Sequence, residues 1–318
     1  CFLFCCKFVI NKVQLKDILK FTIAILLGGG ITYLMVQGTT EEAQDKHYEH
    51  HVSENYKVFS LAVPNGLTFC GQEIPLKKTH VAEKLDRELL VNTYWHSNTF
   101  LMMKRANRWF PTIERILEEE GMPEDLKYLA LIESGLTTAS SPAGAKGYWQ
   151  FMKSTGKSYQ LEINNNVDER NHLEKSTRAA CKYLKDSYNS YNDWPLVAAS
   201  YNMGAGGVNK NLRNQNQDNY WDLNLNSETS RYVYRILAVK EIMNNAGKYG
   251  FRVRPKDLYQ PYDFDIVTVD TTINDLVTFS EKFGLTYKEL KELNPWMTSS
   301  SLSNKSGKEY EVKILKKN

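Results

Sequence analysis

The sequence predicts a mainly α-helical protein with a small β-α-α-β module at its C-terminus and an apolar helical segment near its N-terminus. Three observations predict this. Apolar residues recur at helical spacing through residues 78–252, punctuated by Pro and Gly. Composition shifts at Pro255 and Pro261, after which two strand-like runs bracket two short helical ones. The run FTIAILLGGGITYLMV, Phe21–Val36, carries no charge. The 318 residues suffice for two domains of ordinary size, and 42% hydrophobic with 24% charged residues excludes a disordered chain or an integral membrane bundle. Forty Lys+Arg against 37 Asp+Glu, net +3, excludes a dedicated nucleic-acid binder. Aromatics at 12%, with 19 Tyr and 6 Trp, can line a carbohydrate cleft or simply fill core and surface.

Residues 1–40 read as a membrane anchor or signal segment. A spanning helix needs about 17–25 apolar residues, so Phe21–Val36 with Gln37 and Gly38 is short but workable. Lys7, Lys12, Lys16 and Lys20 before it, and Glu41, Glu42 and Asp45 after it, place the N-terminus in the cytoplasm and the body outside. A retained anchor is favoured over a cleaved leader, because no small-x-small site follows. The chain opens on Cys1 rather than Met, so it is expected to be truncated or to begin before the true start. Residues 41–77 read as a spacer. The HYEHH cluster there has helical ligand spacing but no paired acids or Cys, so it reads as a solvated polar stretch and no metal is expected. Of five Cys, only Cys70 and Cys181 lie in the body; both read as unpaired, with a bridge between them as the alternative.

Within the body, VAEKLDRELLVNTYW (81–95) is one helix. A second is expected to start at Phe110-Pro111 and end at Gly121. Pro123 opens a third, PEDLKYLALIE, with Glu124 and Asp125 at its dipole-favoured end and Gly135 after it. Leu126, Leu129, Ala130 and Glu133 share one face of that helix at i, i+3, i+4 and i+7. Glu133 is thus a carboxylate at the end of an apolar stripe, where desolvation raises the pKa and keeps a proton available for general acid work. From the helix alone, a Glu turned to solvent is the commoner outcome. The segment that follows shifts the balance. SPAGAKGYWQFM (141–152) combines small residues for a tight turn, the flat faces of Tyr148 and Trp149, and the amide of Gln150. A small-residue turn with an amide and aromatics beside an acid suits a polar ring substrate. Further on come VDER (167–170), the helix STRAACKYL (176–184), AASYNMGAGGV (198–208) and the long helix ETSRYVYRILAVKEI (228–242).

Glu133-Ser134, SPAGAKGYWQFM, VDER, SYNMG and ETSRYVYRIL resemble, in order and spacing, the soluble-lytic-transglycosylase domain, and within it the D-type membrane-bound lytic murein transglycosylases. The resemblance covers roughly residues 78–252. It implies a lysozyme-like fold and cleavage of the β-1,4 bond between N-acetylmuramic acid and N-acetylglucosamine in peptidoglycan, leaving 1,6-anhydro ends. It implies Glu133 as the single catalytic acid and base, with no cofactor. By the same carry-over Gln150 and Tyr201 contact the sugar or orient Glu133, Asn202 holds its segment, Ser134 supports the Glu or the substrate, and Glu228 is a cleft acid. Asp168 of VDER reads as structural. The sequence departs from the family at Ser200, where Ala is more usual, and at Cys181, where a small residue is more usual. The expected partners are peptidoglycan glycan strands and, through the N-terminal helix, a membrane; no nucleic acid is expected and no protein partner is indicated. The implied location is the envelope of a Gram-negative-type bacterium, on the periplasmic side. A hydrolytic muramidase using Asp168 or Glu228 to activate water is the nearer alternative, and a non-catalytic peptidoglycan-binding protein the further one.

The Asn- and Gln-rich stretch 209–226 reads either as a cleft-edge loop, with Tyr220 or Trp221 stacking on sugar, or as a polar surface loop. In residues 262–318, FDIVTV (264–269), INDLVTFSEKFG (273–284), TYKELKELN (286–294) and YEVKIL (310–315) follow a β-α-α-β order that resembles a LysM domain. Val269-Asp270-Thr271 stands where Gly-Asp-Thr is usual. The resemblance implies glycan binding, a purely structural module being the alternative. Ser154–Lys157, Ser200–Asn202 and Lys305–Gly307 mimic the motifs of acyl-serine enzymes, but residues 154–260 lack the strands that such a fold needs. Thr155–Ser158 mimics a phosphate loop whose first Gly is here Phe151.

Overall fold

Helices form where apolar residues recur every three to four positions, and their buried faces converge on one core. The computed structural model describes Lys20, residues 43–46 and residues 60–316. The apolar run 21–36 and the HYEHH cluster lie outside the described residues. Among the described residues, no helix is long and apolar enough to cross a membrane.

From Leu61 onward the chain forms one unit. It opens with a hairpin of β1 (Thr68–Phe69) and β2 (Gln72–Glu73), paired antiparallel. Phe69 is completely buried, and Leu61, Val63 and Leu67 pack on the same core. The last part of the stretch read as a spacer therefore lies against the helical body. Eight helices follow: α1 (Thr79–Tyr94), α2 (His96–Glu119), α3 (Lys127–Ser134), α4 (Lys153–Ser158), α5 (Leu173–Tyr191), α6 (Trp194–Met203), α7 (Ala205–Gln215) and α8 (Thr229–Asn244). The expected helix start at Phe110-Pro111 is corrected: α2 runs through Pro111 without a break. Pro111 is exposed, so the Asn107 carbonyl that loses its intrahelical donor lies on the solvent side. Phe110, Ile113, Ile116 and Leu117 are buried on the other face and offset that loss.

α3 is too short to be stable alone. Leu129, Ala130 and Leu131 are completely buried, and the helix is held between α2 and α8. Gly135 ends it at φ +59°, its N–H donating to the Leu131 carbonyl at 2.9 Å. Cys70 and Cys181 are free thiols, which removes the bridge between them.

The C-terminal part matches the expected order: β3 (Phe264–Val269), α9 (Leu276–Lys282), α10 (Tyr287–Leu293) and β4 (Tyr310–Leu315). β3 and β4 pair antiparallel in the register Phe264↔Leu315 through Val269↔Tyr310. Its small core, built on Leu276, Leu290, Trp296, Met297 and Val312, also takes in Val167 of the helical body. The two parts are joined by backbone as well. Asp168 N–H donates to the Trp296 carbonyl and Thr298 N–H to the Asn166 carbonyl, both at 2.8 Å. Trp296 stacks between His172 (5.9 Å between centroids) and Tyr310 (5.6 Å). Lys308 pairs with Glu162 and Lys313 with Glu174, bases of one part meeting acids of the other. Trp296→Ala is expected to cost about 3–5 kcal/mol, read as a fall in melting temperature of the whole chain. An unchanged melting curve would show that the two parts are not energetically joined.

Candidate active site

Glu133 occupies the last turn of α3, one residue before its end, so the buried stripe of the helix fixes where its carboxyl emerges. The side chain is half-buried, and Tyr232 of α8 donates its hydroxyl to Glu133 Oε1 in a short hydrogen bond. Burial pushes the Glu133 carboxyl up to about 7, helped by the negative charge of Glu228 and opposed by the Tyr232 hydroxyl and the Arg235 guanidinium. A carboxylic acid in that range holds a proton near neutral pH and can both give and retake it.

Tyr201, Asn202 and Glu228 come together beside it. The Tyr201 hydroxyl donates to the Trp149 carbonyl at 2.7 Å, and its ring meets Tyr183, Phe151 and Trp149 edge-on or tilted at 5.1, 6.0 and 6.5 Å. Burial and the nearby Glu133 charge raise the Tyr201 phenol well above its ordinary value, so it stays a neutral donor. Asn202 accepts from Thr229 Oγ1 at 2.7 Å and donates to Glu228 Oε1 at 3.4 Å, which ties the end of α6 to the start of α8.

Ser134 and Gln150 brace the backbone. Ser134 Oγ donates to the Tyr148 carbonyl at 2.8 Å, joining α3 to the turn that follows. Gln150 Nε2 donates to the carbonyls of Ala139 and Gly147, both at 2.9 Å. That turn is strained: the non-Gly residues Leu136 and Gln150 sit at φ +57° and +48°. It is clamped from below by Arg170, whose Nη1 donates to the carbonyls of Gly144 (3.0 Å) and Phe151 (3.1 Å). Asp168 grips the Arg170 guanidinium from both oxygens, at 2.9 and 2.8 Å, so it is structural as expected. Both residues are buried. Gly147 packs directly on the Arg170 carbonyl.

Four aromatic side chains that the sequence offered as candidate sugar platforms are buried. Tyr148 (4% exposed) and Trp149 (0%) are core, the Trp149 indole donating to Thr177 Oγ1 at 2.9 Å. Tyr220 and Trp221 are also buried, the Tyr220 hydroxyl donating to the Thr229 carbonyl, which leaves the sugar-stacking alternative for that stretch without its aromatic rings. The first part of that Asn-rich stretch, 209–215, belongs to helix α7. Conversely, sequence reasoning passed over Tyr232 and Arg235. They follow Glu228 at i+4 and i+7, on one helical face, and that spacing was the available signal. Buried Glu88 of α1 stands 3.9 Å from both Arg231 and Arg235 and anchors this face of α8.

A family model described as the Transglycosylase SLT domain matches residues 111–224, and one described as the Soluble lytic transglycosylase C-terminal LysM-like domain matches residues 265–318. The chain is 29% identical over 258 residues to membrane-bound lytic murein transglycosylase D of Escherichia coli (strain K12). That alignment covers 78% of this chain and 55% of the relative, so the chain spans about half the length of that relative. A crystal structure of an inactive variant of the lytic transglycosylase Slt from Pseudomonas aeruginosa aligns with a TM-score of 0.34 and 19% identity, over 48% of this chain and 26% of that one. The 70-kDa soluble lytic transglycosylase from Escherichia coli aligns at 0.35 and 21%, over 48% and 26%. The chain is thus mainly helical, carries a segment that matches the SLT domain and a C-terminal segment that matches the LysM-like domain, and is similar to membrane-bound lytic murein transglycosylase D.

Proposed function

We propose that this chain is a peptidoglycan lytic transglycosylase in which Glu133 acts alone as acid and then base. The observation that carries this is the half-buried, Tyr232-bonded Glu133 carboxyl, pushed up to about 7 at the end of an apolar stripe. In the first half-reaction Glu133 gives its proton to the glycosidic oxygen as the bond from that oxygen to the muramoyl C1 breaks. The carboxylate so formed then takes the proton of the muramoyl C6 hydroxyl as that oxygen bonds to C1. Glu133 ends protonated, no water is consumed, and a 1,6-anhydro end results. The usual second carboxylate is not required, and Asp168 is occupied by Arg170. Tyr201 and Asn202 support the cleft wall, while Ser134 and Gln150 hold the turn beside Glu133. The anchoring reading of residues 1–40 and the membrane-bound relative support a place in the cell envelope, on the periplasmic side.

Mass spectrometry of muropeptides released from purified sacculi tests the proposal. Anhydro ends, lighter by one water than reducing ends, are expected. Reducing ends would instead assign a hydrolase, with Glu228 beside Asn202 as the group that activates water. Since the protonated acid starts the reaction, activity is expected to fall as pH rises through about 7. The Tyr232 hydroxyl stabilises the carboxylate form, so Tyr232→Phe raises the Glu133 pKa further and moves this alkaline limb to higher pH. A limb that stays put in a pH–rate profile would remove Tyr232 from the tuning of Glu133.

A further inference from the structure

A cavity of about 560 Å³ opens where the C-terminal part meets the helical body. Its volume lies in the range of small-ligand sites. One wall is Leu136–Thr138, the turn that leaves Glu133, so the cavity begins within three residues of the proposed acid. The second wall is Trp109 of α2 with Tyr262, whose rings lie 5.9 Å apart. The third is α10 of the C-terminal part, through Tyr287 and Lys291.

Lys291 is the informative residue. Its ammonium donates to the carbonyls of Met297 and Ser299, the latter at 2.9 Å, and lies 5.7 Å from the Tyr287 ring centroid. Among the described residues no carboxylate pairs with it, and neighbouring Glu292 pairs with Lys288 instead, at 3.7 Å. Burial without a counter-charge pushes its ammonium below the ordinary value. A half-buried cation beside three aromatic rings that are only partly covered is matched by a ligand with an apolar ring face and a carboxylate. A glycan strand of peptidoglycan carries both: pyranose rings and, on each muramoyl unit, an acidic stem peptide.

We propose that this cavity binds a peptide-bearing muramoyl unit of the glycan strand next to the cleavage point, with the sugar against Trp109, Tyr262 and Tyr287 and a stem-peptide carboxylate on Lys291. The proposal rests on the peptidoglycan reading above. It gives the docked C-terminal module a direct part in substrate selection, because α10 supplies the charge.

The test uses the full chain with Glu133→Gln, so that ligand is not turned over, and titrates in two tetrasaccharides of alternating N-acetylglucosamine and N-acetylmuramic acid, one carrying stem peptides and one without. Lys291→Met is expected to weaken the peptide-bearing ligand about tenfold and leave the bare glycan unchanged, and Lys291→Arg is expected to restore the difference. Tyr287→Ala is expected to weaken both ligands while leaving Lys291's bonds to Met297 and Ser299 in place. Equal binding of the peptide-bearing ligand by parent, Lys291→Met and Tyr287→Ala, or no binding by the parent, overturns the site. Cleavage of sacculi by the chain with Glu133 intact is scored separately. An active chain whose variants bind like the parent loses this site and keeps the function; an inactive chain that binds through Lys291 loses the function and keeps the site.

Discussion

Glu133→Gln is expected to abolish release of muropeptides from sacculi, by about a thousandfold or more, while the purified variant becomes more stable at alkaline pH. The two effects share one cause. Folding raises the Glu133 pKa from 4.5 to about 7, so between those values the folded chain binds more protons than the unfolded one. Stability is therefore lost as pH rises across that window. Gln carries no charge to desolvate, is nearly the same size, and can still accept from Tyr232. At pH 8 the variant is expected to gain up to about 3 kcal/mol, and the gain vanishes below pH 4.5, where both side chains are neutral. Melting curves at the two pH values, beside a muropeptide assay, check both halves. Retained activity would sink the catalytic assignment; an alkaline stability no higher than the parent's would show that Glu133 is not desolvated.

Gly147→Ala is expected to be among the most damaging single-methyl additions in the chain. Gly147 sits at φ +82°, and a Cβ there would stand 1.8 Å from the Arg170 carbonyl oxygen and 2.4 Å from its carbon. Both obstacles are backbone, so no rotamer change relieves them. The conformational strain and the overlap together are expected to cost about 3 kcal/mol or more. The displaced element is the turn that Ser134, Gln150 and Arg170 hold against α3. Activity is therefore expected to fall further than stability alone explains, visible as a loss that persists at temperatures where circular dichroism shows the variant folded. A variant that melts and turns over like the parent would refute the close packing of Gly147 on Arg170.

Much of this architecture was legible from residue order because local physics decides it. The stripe Leu126, Leu129, Ala130, Glu133 is a property of one helix, and Gly135 stops that helix by its own backbone freedom. β3 and β4 were readable as strands, and α9 and α10 as the helices between them, for the same reason. Pro111 was misread because a break is the locally favoured outcome, and only the buried face of α2 offsets it.

The site divides along the same line. The sequence by itself determined the helical class, the order of elements and the position of Glu133 on an apolar stripe. Only the tertiary structure decided that Tyr232, 99 residues away, hydrogen-bonds to that carboxyl. It also decided that Tyr148 and Trp149 fill the core, that Ser134 and Gln150 hold backbone, and that the C-terminal module closes against Val167 and His172. Periodicity reports which face of one element is apolar. Which partner meets that face, and how far a carboxyl is taken from water there, depends on elements remote in the chain.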